Sequence, residues 1–285
     1  MLTRKIGSFE VGAIGLGGMW LSLDGRPDEN RAIRTVHAAL DAGVTLIDTA
    51  DAYRSRTDET NHNEILIAKA LRSYRDDTSN VVVATKGGFQ RPADGSWVNN
   101  GTPEHLKTAA RISARNLGVD SIALYQFHDP DPAVPFEDSI GAFKDLLADG
   151  VIQTAGISNV TTDQIRVARD ILGEGLVSVQ NRYSPAHQDS RSELELAAEL
   201  GLAFLPWNPL GGIGRSRSIA GVNPAFAEIA AERGISPQQV ALAWELSLAP
   251  TMIPIPGASR PETIVDSARA VDLRLTDDEL TRLGS

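Results

Sequence analysis

Val44-Thr45-Leu46-Ile47-Asp48-Thr49-Ala50-Asp51-Ala52-Tyr53 holds the transition on which the reading of this chain turns. Val44 to Ile47 is a short apolar, partly β-branched run, and Gly43 before it stops a helical pattern. Such a run reads as a buried strand. It gives out at an acid, Asp48, and a phenol, Tyr53, follows five residues later on polar loop. An acid and a phenol at a strand's mouth can do proton chemistry if a cation stands beside them. The same residues also suit a turn-capping Asp and a surface Tyr, so the neighbouring strands have to decide.

Outward from this strand the pattern repeats. Apolar β-like runs occur at 11–16, 44–47, 81–84, 122–127, 152–157, 176–180, 202–206 and 252–255. Between them lie helix-period segments near 28–42, 62–73, 103–117, 135–149, 161–172, 190–200, 236–248 and 261–270. Thr102-Pro103-Glu104 and Ser236-Pro237 are helix starts, with Pro at the first helical position. Gly43, Gly118, Gly150 and Gly201 read as stops. This alternation predicts an α/β fold with a parallel sheet, and eight repeats close a (β/α)8 TIM barrel. Two further helices are expected towards the C-terminus, over 224–233 and 276–282, the second opened by Thr276 with Glu279 at N3. The longest polar loop is 87–102. With no linker or low-complexity tract, residues 1–285 read as one domain.

Composition excludes some functions. The net charge of −10 argues against a nucleic-acid partner, which calls for a basic face. No apolar run approaches the ~18 residues of a membrane span. Glu10 and the glycines at 12, 15, 17 and 18 make the N-terminus a poor signal peptide, so the expected location is cytoplasmic. Without cysteine there is no disulfide or thiolate metal site, and no metal is assigned. No oligomeric state is assigned either.

In such a barrel chemistry sits where the strands end. The second strand delivers Asp48 and, beyond it, Tyr53. The third exits into Lys86 and the fourth into His128. The fifth ends at Ser158-Asn159, the sixth around Gln180 and the seventh at Trp207-Asn208. Each alone has an ordinary structural explanation; an acid, a phenol, an amine and an imidazole at adjacent exits form a constellation. An ammonium beside a phenol should lower its pKa from ~10, and Asp48 should keep Lys86 charged and fixed. Tyr53 then serves as proton donor to a carbonyl oxygen, with His128 as a second hydrogen-bond donor. Carbonyl reduction also needs hydride, which no side chain supplies, so a nicotinamide cofactor is implied.

Gly15-Leu16-Gly17-Gly18 is not a G-x-G-x-x-G fingerprint, since Trp20 stands at the last Gly position. The phosphate site is expected instead in the loops after strands seven and eight. These loops hold Asn208, Leu210, Gly212, Gly257, Ser259 and Arg260. Ser158, Asn159 and Gln180 suit a carboxamide, and Trp207 offers a stacking face. Asn159 could equally cap a helix and Trp207 fill the core. Trp20, Phe89 and Trp97 are the expected aromatic wall for substrate, though Trp20 also suits rim packing.

Over essentially the whole chain this pattern resembles the aldo-keto reductase superfamily. The matching stretches are Ile47-Asp48-Thr49-Ala50 with Tyr53, Ala84-Thr85-Lys86, Gln126-Phe127-His128, Gly156-Ile157-Ser158-Asn159, Val179-Gln180-Asn181-Arg182-Tyr183 and Ile253-Pro254-Ile255-Pro256-Gly257. The resemblance implies a tetrad of Asp48, Tyr53, Lys86 and His128, with Tyr53 as general acid and NADPH/NADP+ as cofactor. It implies carboxamide contacts from Ser158, Asn159 and Gln180, and a ring stacked on Trp207, where the family often has Tyr. Gly257-Ala258, Thr263 and Asp266-Ser267 depart from the family's Lys-Ser, Arg and acid-Asn pattern, which leaves a 2′-phosphate to Ser259 and Arg260. The chain ends soon after its final short helix, without the long C-terminal loop of many members. Stretches 156–164, 179–187, 209–212 and 237–246 resemble bacterial pyridoxal reductases, so a pyridoxal-like aromatic aldehyde is the expected substrate. A nicotinamide-binding regulatory subunit with little turnover, and a Schiff-base lyase using Lys86, are the alternative readings.

Overall fold

The computed structural model describes residues 2–55, 60–212 and 219–284. Seven strands form one parallel ladder: β3 (Leu16–Gly17), β4 (Leu46–Asp48), β5 (Val82–Gly87), β8 (Ile122–Phe127), β9 (Ile152–Ser158), β10 (Leu176–Gln180) and β11 (Ala203–Phe204). The eighth predicted strand, 252–255, forms no ladder. Pro254 and Pro256 lack the N–H groups a regular strand would donate. Their carbonyls still accept from Gly15 and Gly17 (2.9 and 3.0 Å), and Ile253 N–H donates to Phe204 on the other side (2.9 Å). This segment closes the ring between β11 and β3, which makes the fold a (β/α)8 barrel.

The first predicted strand, 11–16, is divided. Phe9–Gly12 (β2) pairs antiparallel with Thr3–Ile6 (β1), and only Leu16–Gly17 joins the barrel. The hairpin turns at Gly7-Ser8, where Gly7 takes φ +56°. Ile6 and Val11 reach into the interior cluster with Leu46, Val82, Leu124, Val177, Leu205 and Ile253. Gly12 N–H donates to the Thr45 hydroxyl (2.9 Å), so the hairpin plugs the end where the strands begin. The loop over 87–102 likewise contains a short hairpin, β6 (Phe89–Gln90) with β7 (Val98–Asn99).

Helices α1 (Glu29–Asp41), α2 (His62–Arg72), α3 (Pro103–Leu117), α4 (Phe136–Ala148), α5 (Thr162–Leu172), α6 (Arg191–Glu199), α9 (Pro237–Leu248) and α10 (Pro261–Ala268) surround the sheet. α7 (Ile219–Val222), α8 (Ala225–Arg233) and α11 (Asp277–Leu283) are additions; the last two lie where the sequence placed extra helices. α5 and α11 open on capping boxes, Thr161 with Gln164 and Thr276 with Glu279. The four glycines read as stops all take positive φ, from 68° to 86°.

Strand alternation decides which side chains enter the barrel. Leu46 belongs to the interior cluster, whereas Ile47 faces Val36 and Ala39 of α1 and Ile67 of α2. Asp48 therefore points inward, one layer above Leu46. By the same period Val82 and Ala84 lead to Lys86, and Leu124 leads to Gln126. Apolar layers thus give way to polar ones at the strands' C-terminal ends. No helix among the described residues is long and apolar enough to cross a membrane.

Candidate active site

The inward polar layer is joined by short bonds. Lys86 Nζ donates to Asp48 Oδ2 (2.6 Å), to the Thr49 carbonyl (2.9 Å) and to the Tyr53 hydroxyl (3.1 Å). Asp48 Oδ1 accepts from Gln180 Nε2 (2.8 Å) and Gln126 Nε2 (3.2 Å). Lys86 is fully buried. Burial alone would lower its pKa, but Asp48 and Tyr53 outweigh it and hold the value above its ordinary level. The amine is a fixed ammonium.

Tyr53 departs from the sequence expectation. Lys86 does favour the phenolate, yet burial pushes harder the other way and Asp48 adds to it, so the pKa is raised. The hydroxyl is protonated at neutral pH, the state a proton donor needs. His128 is pushed well below its usual pKa by burial first and Lys86 second, so its ring is neutral. Its Nδ1 is buried without a partner. The Tyr53, Phe89 and Trp97 rings surround it edge to face, with centroids 5.6, 4.6 and 6.3 Å away.

These groups open on a cavity of about 450 Å³. Asp48, Tyr53, His128, Ser158, Asn159, Gln180, Trp207, Asn208 and Gly257 line it, as do Trp20, Phe89 and Trp97. Lys86 stands behind Asp48 and Tyr53. The expected carboxamide contacts are gathered here but are already engaged. Ser158 Oγ donates to the Gln180 carbonyl (2.7 Å) and Gln180 Nε2 is held by Asp48. Asn159, at φ +58°, donates to the His128 carbonyl (3.0 Å) and accepts from the Trp207 indole (2.9 Å). Asn159 thus ties strand exits together instead of capping a helix, and Trp207 is half-buried, not core.

A groove of about 790 Å³ continues from the cavity past Trp20, Asn208 and Gly257, which line both. Leu210, Gly212, Ser259 and Arg260 line it, together with Thr263 near the start of α10. Trp20 lies directly on Gly257: a Cβ there would come 2.4 Å from the indole Cδ1, so only glycine fits. Trp20 therefore stands at the junction of cavity and groove and belongs to both. A flat ring against Trp207 and an anionic tail at a helix start is the donor set a nicotinamide dinucleotide requires. Asp24, Glu262 and Asp266 also line the groove. Asp266 is turned back onto the start of α9, accepting from Ser236 Oγ (2.6 Å) and Gln239 Nε2 (2.5 Å).

Sequence reasoning missed Met19, Leu23, Asp129 and Ile255 in the cavity, and Gln126 beneath it. Asp129 directly follows His128, so reading one residue further at that exit would have found it. Gln126 precedes His128 by two, on the inward face.

The barrel gathers an Asp–Lys–Tyr–His cluster at its strand exits, and residues 13–285 match the Aldo/keto reductase family. The chain belongs to that family. It is 34% identical to pyridoxine 4-dehydrogenase of Escherichia coli, over 99% of this chain and 96% of that protein. It is 32% identical to 6-dehydroglucose reductase of Novosphingobium aromaticivorans, over 90% and 86%. Among solved structures it resembles an aldo/keto reductase from Klebsiella pneumoniae in complex with NADP and acetate. That match has TM-score 0.82 and 27% identity over 99% and 93% of the chains. The glycerol dehydrogenase of Gluconobacter oxydans gives TM-score 0.83 at 25% identity, over 99% and 93%.

Proposed function

We propose that this chain is an NADPH-dependent reductase of aldehydes or ketones with Tyr53 as general acid. The carrying observation is the Tyr53 hydroxyl, protonated and 3.1 Å from the buried Lys86 ammonium, at an aromatic-walled cavity. A nicotinamide held here would supply the hydride that no side chain can provide. Tyr53 gives its proton to the carbonyl oxygen, and the Lys86 ammonium stabilises the phenolate left behind. The neutral His128 ring holds the same oxygen by an N–H bond. Asp48 keeps Lys86 charged and in place. Trp207, Ser158, Asn159 and Gln180 would hold the nicotinamide end of the cofactor, and Gly257, Ser259 and Arg260 would hold its phosphates.

Two other readings fit less well. A Schiff-base lyase needs a neutral, accessible amine, whereas Lys86 is a buried ammonium behind Tyr53. A regulatory subunit without turnover would not need a proton donor bonded to a buried cation, with a neutral imidazole at the same cavity. The substrate reading is a flat aromatic aldehyde of pyridoxal size, since Trp20, Phe89 and Trp97 give ring faces; the pyridoxine 4-dehydrogenase likeness supports it. The test is kcat/KM with saturating NADPH for pyridoxal, benzaldehyde, a ketosteroid and xylose. Pyridoxal or benzaldehyde should lead. A lead for the steroid or xylose would sink the pocket reading, and no NADPH oxidation with any of them would sink the reductase.

A further inference from the structure

Among the described residues two acids, Asp48 and Asp129, line the cavity, and no Lys or Arg does. Asp48 is matched by Lys86 and by the two glutamine amides. Asp129 forms no ion pair among the described residues; burial and a bond from Asn99 are the influences on it. Among the described lining residues, Asp129 is therefore a negative charge without an opposite one. That charge is half-buried, where Coulomb interactions exceed their strength in water. The rings of Trp20, Phe89 and Trp97, whose faces attract cations, line the same cavity. The Arg91 guanidinium lies over the Trp97 ring (4.5 Å) and is not among the residues that line the cavity.

We propose that Asp129 sets the charge preference of the site: it accepts aromatic carbonyl compounds that carry a cationic nitrogen and rejects those that carry carboxylate or phosphate. The proposal rests on the carbonyl-reductase reading above and narrows its substrate class. A cationic substituent on the ring meets the carboxylate and the aromatic faces together. An anionic substituent meets like charge, with no basic side chain among the described lining residues to offset it. Negative selection of this kind separates substrates of equal size and shape, which an aromatic wall alone does not.

The state of Asp129 supplies an internal control. Burial raises its pKa to about 6, with Asn99 offsetting part of the rise. The other titratable groups facing the cavity are Asp48, paired with Lys86, the protonated Tyr53 and the neutral His128. Charge selection should therefore weaken as pH falls through about 6, where Asp129 takes a proton.

The experiment measures kcat/KM with NADPH for para-trimethylammoniobenzaldehyde, para-carboxybenzaldehyde and the neutral isostere para-tert-butylbenzaldehyde. Native enzyme and Asp129→Asn are compared. The ratio of cationic to anionic kcat/KM is taken within each protein, so a general loss of activity cancels. Asp129→Asn should lower that ratio by about tenfold to a hundredfold, the scale of one charge-assisted contact. In the native enzyme the ratio should fall as pH drops through about 6, and in the variant it should stay flat. An equal ratio in both proteins, or the same pH profile in both, overturns the role of Asp129. No turnover of the tert-butyl compound or the other two by native enzyme overturns instead the carbonyl-reductase reading.

Discussion

Separating the Lys86–Asp48 pair should expose how the site is built into the barrel's stability. The Nζ–Oδ2 distance is 2.6 Å and the two side chains are 1% and 4% exposed, so solvent does not screen them. This is not the surface class of ion pair, worth about 0–1 kcal/mol. Lys86→Met leaves the Asp48 carboxylate buried with only glutamine donors. Asp48→Asn leaves the ammonium with the Thr49 carbonyl and the Tyr53 hydroxyl. Breaking a buried pair from one side costs about 3–5 kcal/mol. The double variant removes both charges together and avoids the stranded one. Its loss should fall short of the summed single losses by about 2–3 kcal/mol. Urea unfolding followed by tryptophan fluorescence, with the slope held common, gives each value. Strictly additive losses, or single losses below about 1 kcal/mol, would refute the claim that this pair is dry and coupled.

Two other outcomes are expected. Arg260→Ala removes the basic side chain from a groove that also contains Asp24, Glu262 and Asp266. It should weaken NADPH binding by about ten- to a hundredfold and barely change NADH, measured by titrating protein fluorescence; equal losses would show that Arg260 does not read the phosphate. Glu245 on α9 is fully buried with both carboxylate oxygens unpartnered, and burial raises its pKa well above the ordinary value. A folded-state pKa above the unfolded one means the fold binds the extra proton. Stability from this group is complete below the ordinary carboxylate pKa and is lost as pH rises towards the raised value. Glu245→Gln should flatten that decline in a series of thermal melts, and an unchanged profile would show that Glu245 is not its source.

How far the sequence reaches is clearest strand by strand. Asp48, Lys86 and His128 were readable because each ends an apolar run, and a parallel barrel gathers strand ends at one rim. Period-two alternation then aims Asp48 and Lys86 inward, as Leu46 and Val82 show. The hairpin over Thr3–Ile6 and Phe9–Gly12 was missed because Val11 and Ile14 continue the apolar pattern across two separate elements. Gly7-Ser8 was its local sign. The prolines at 254 and 256 preserve the apolar run yet remove donors, so the barrel closes there without a ladder. The pKa of Tyr53 was misjudged because sequence shows which charges are neighbours but not how completely they are buried. The bonds of Ser158, Asn159 and Gln180 depend on the positive φ at Asn159 and on distant partners. Spacing along the chain carries no trace of such contacts.

The proposed chemistry rests on proton delivery by Tyr53. Single-turnover reduction of benzaldehyde, with NADPH and Tyr53→Phe enzyme in excess, tests it most directly, because product release plays no part. Phe keeps the ring packing against His128 and Trp97 and removes the hydroxyl that Lys86 holds. The observed rate should fall by about 10²–10⁴-fold, the contribution of a positioned general acid, with NADPH affinity within a few-fold of native. A near-native rate in the Phe variant would contradict the account.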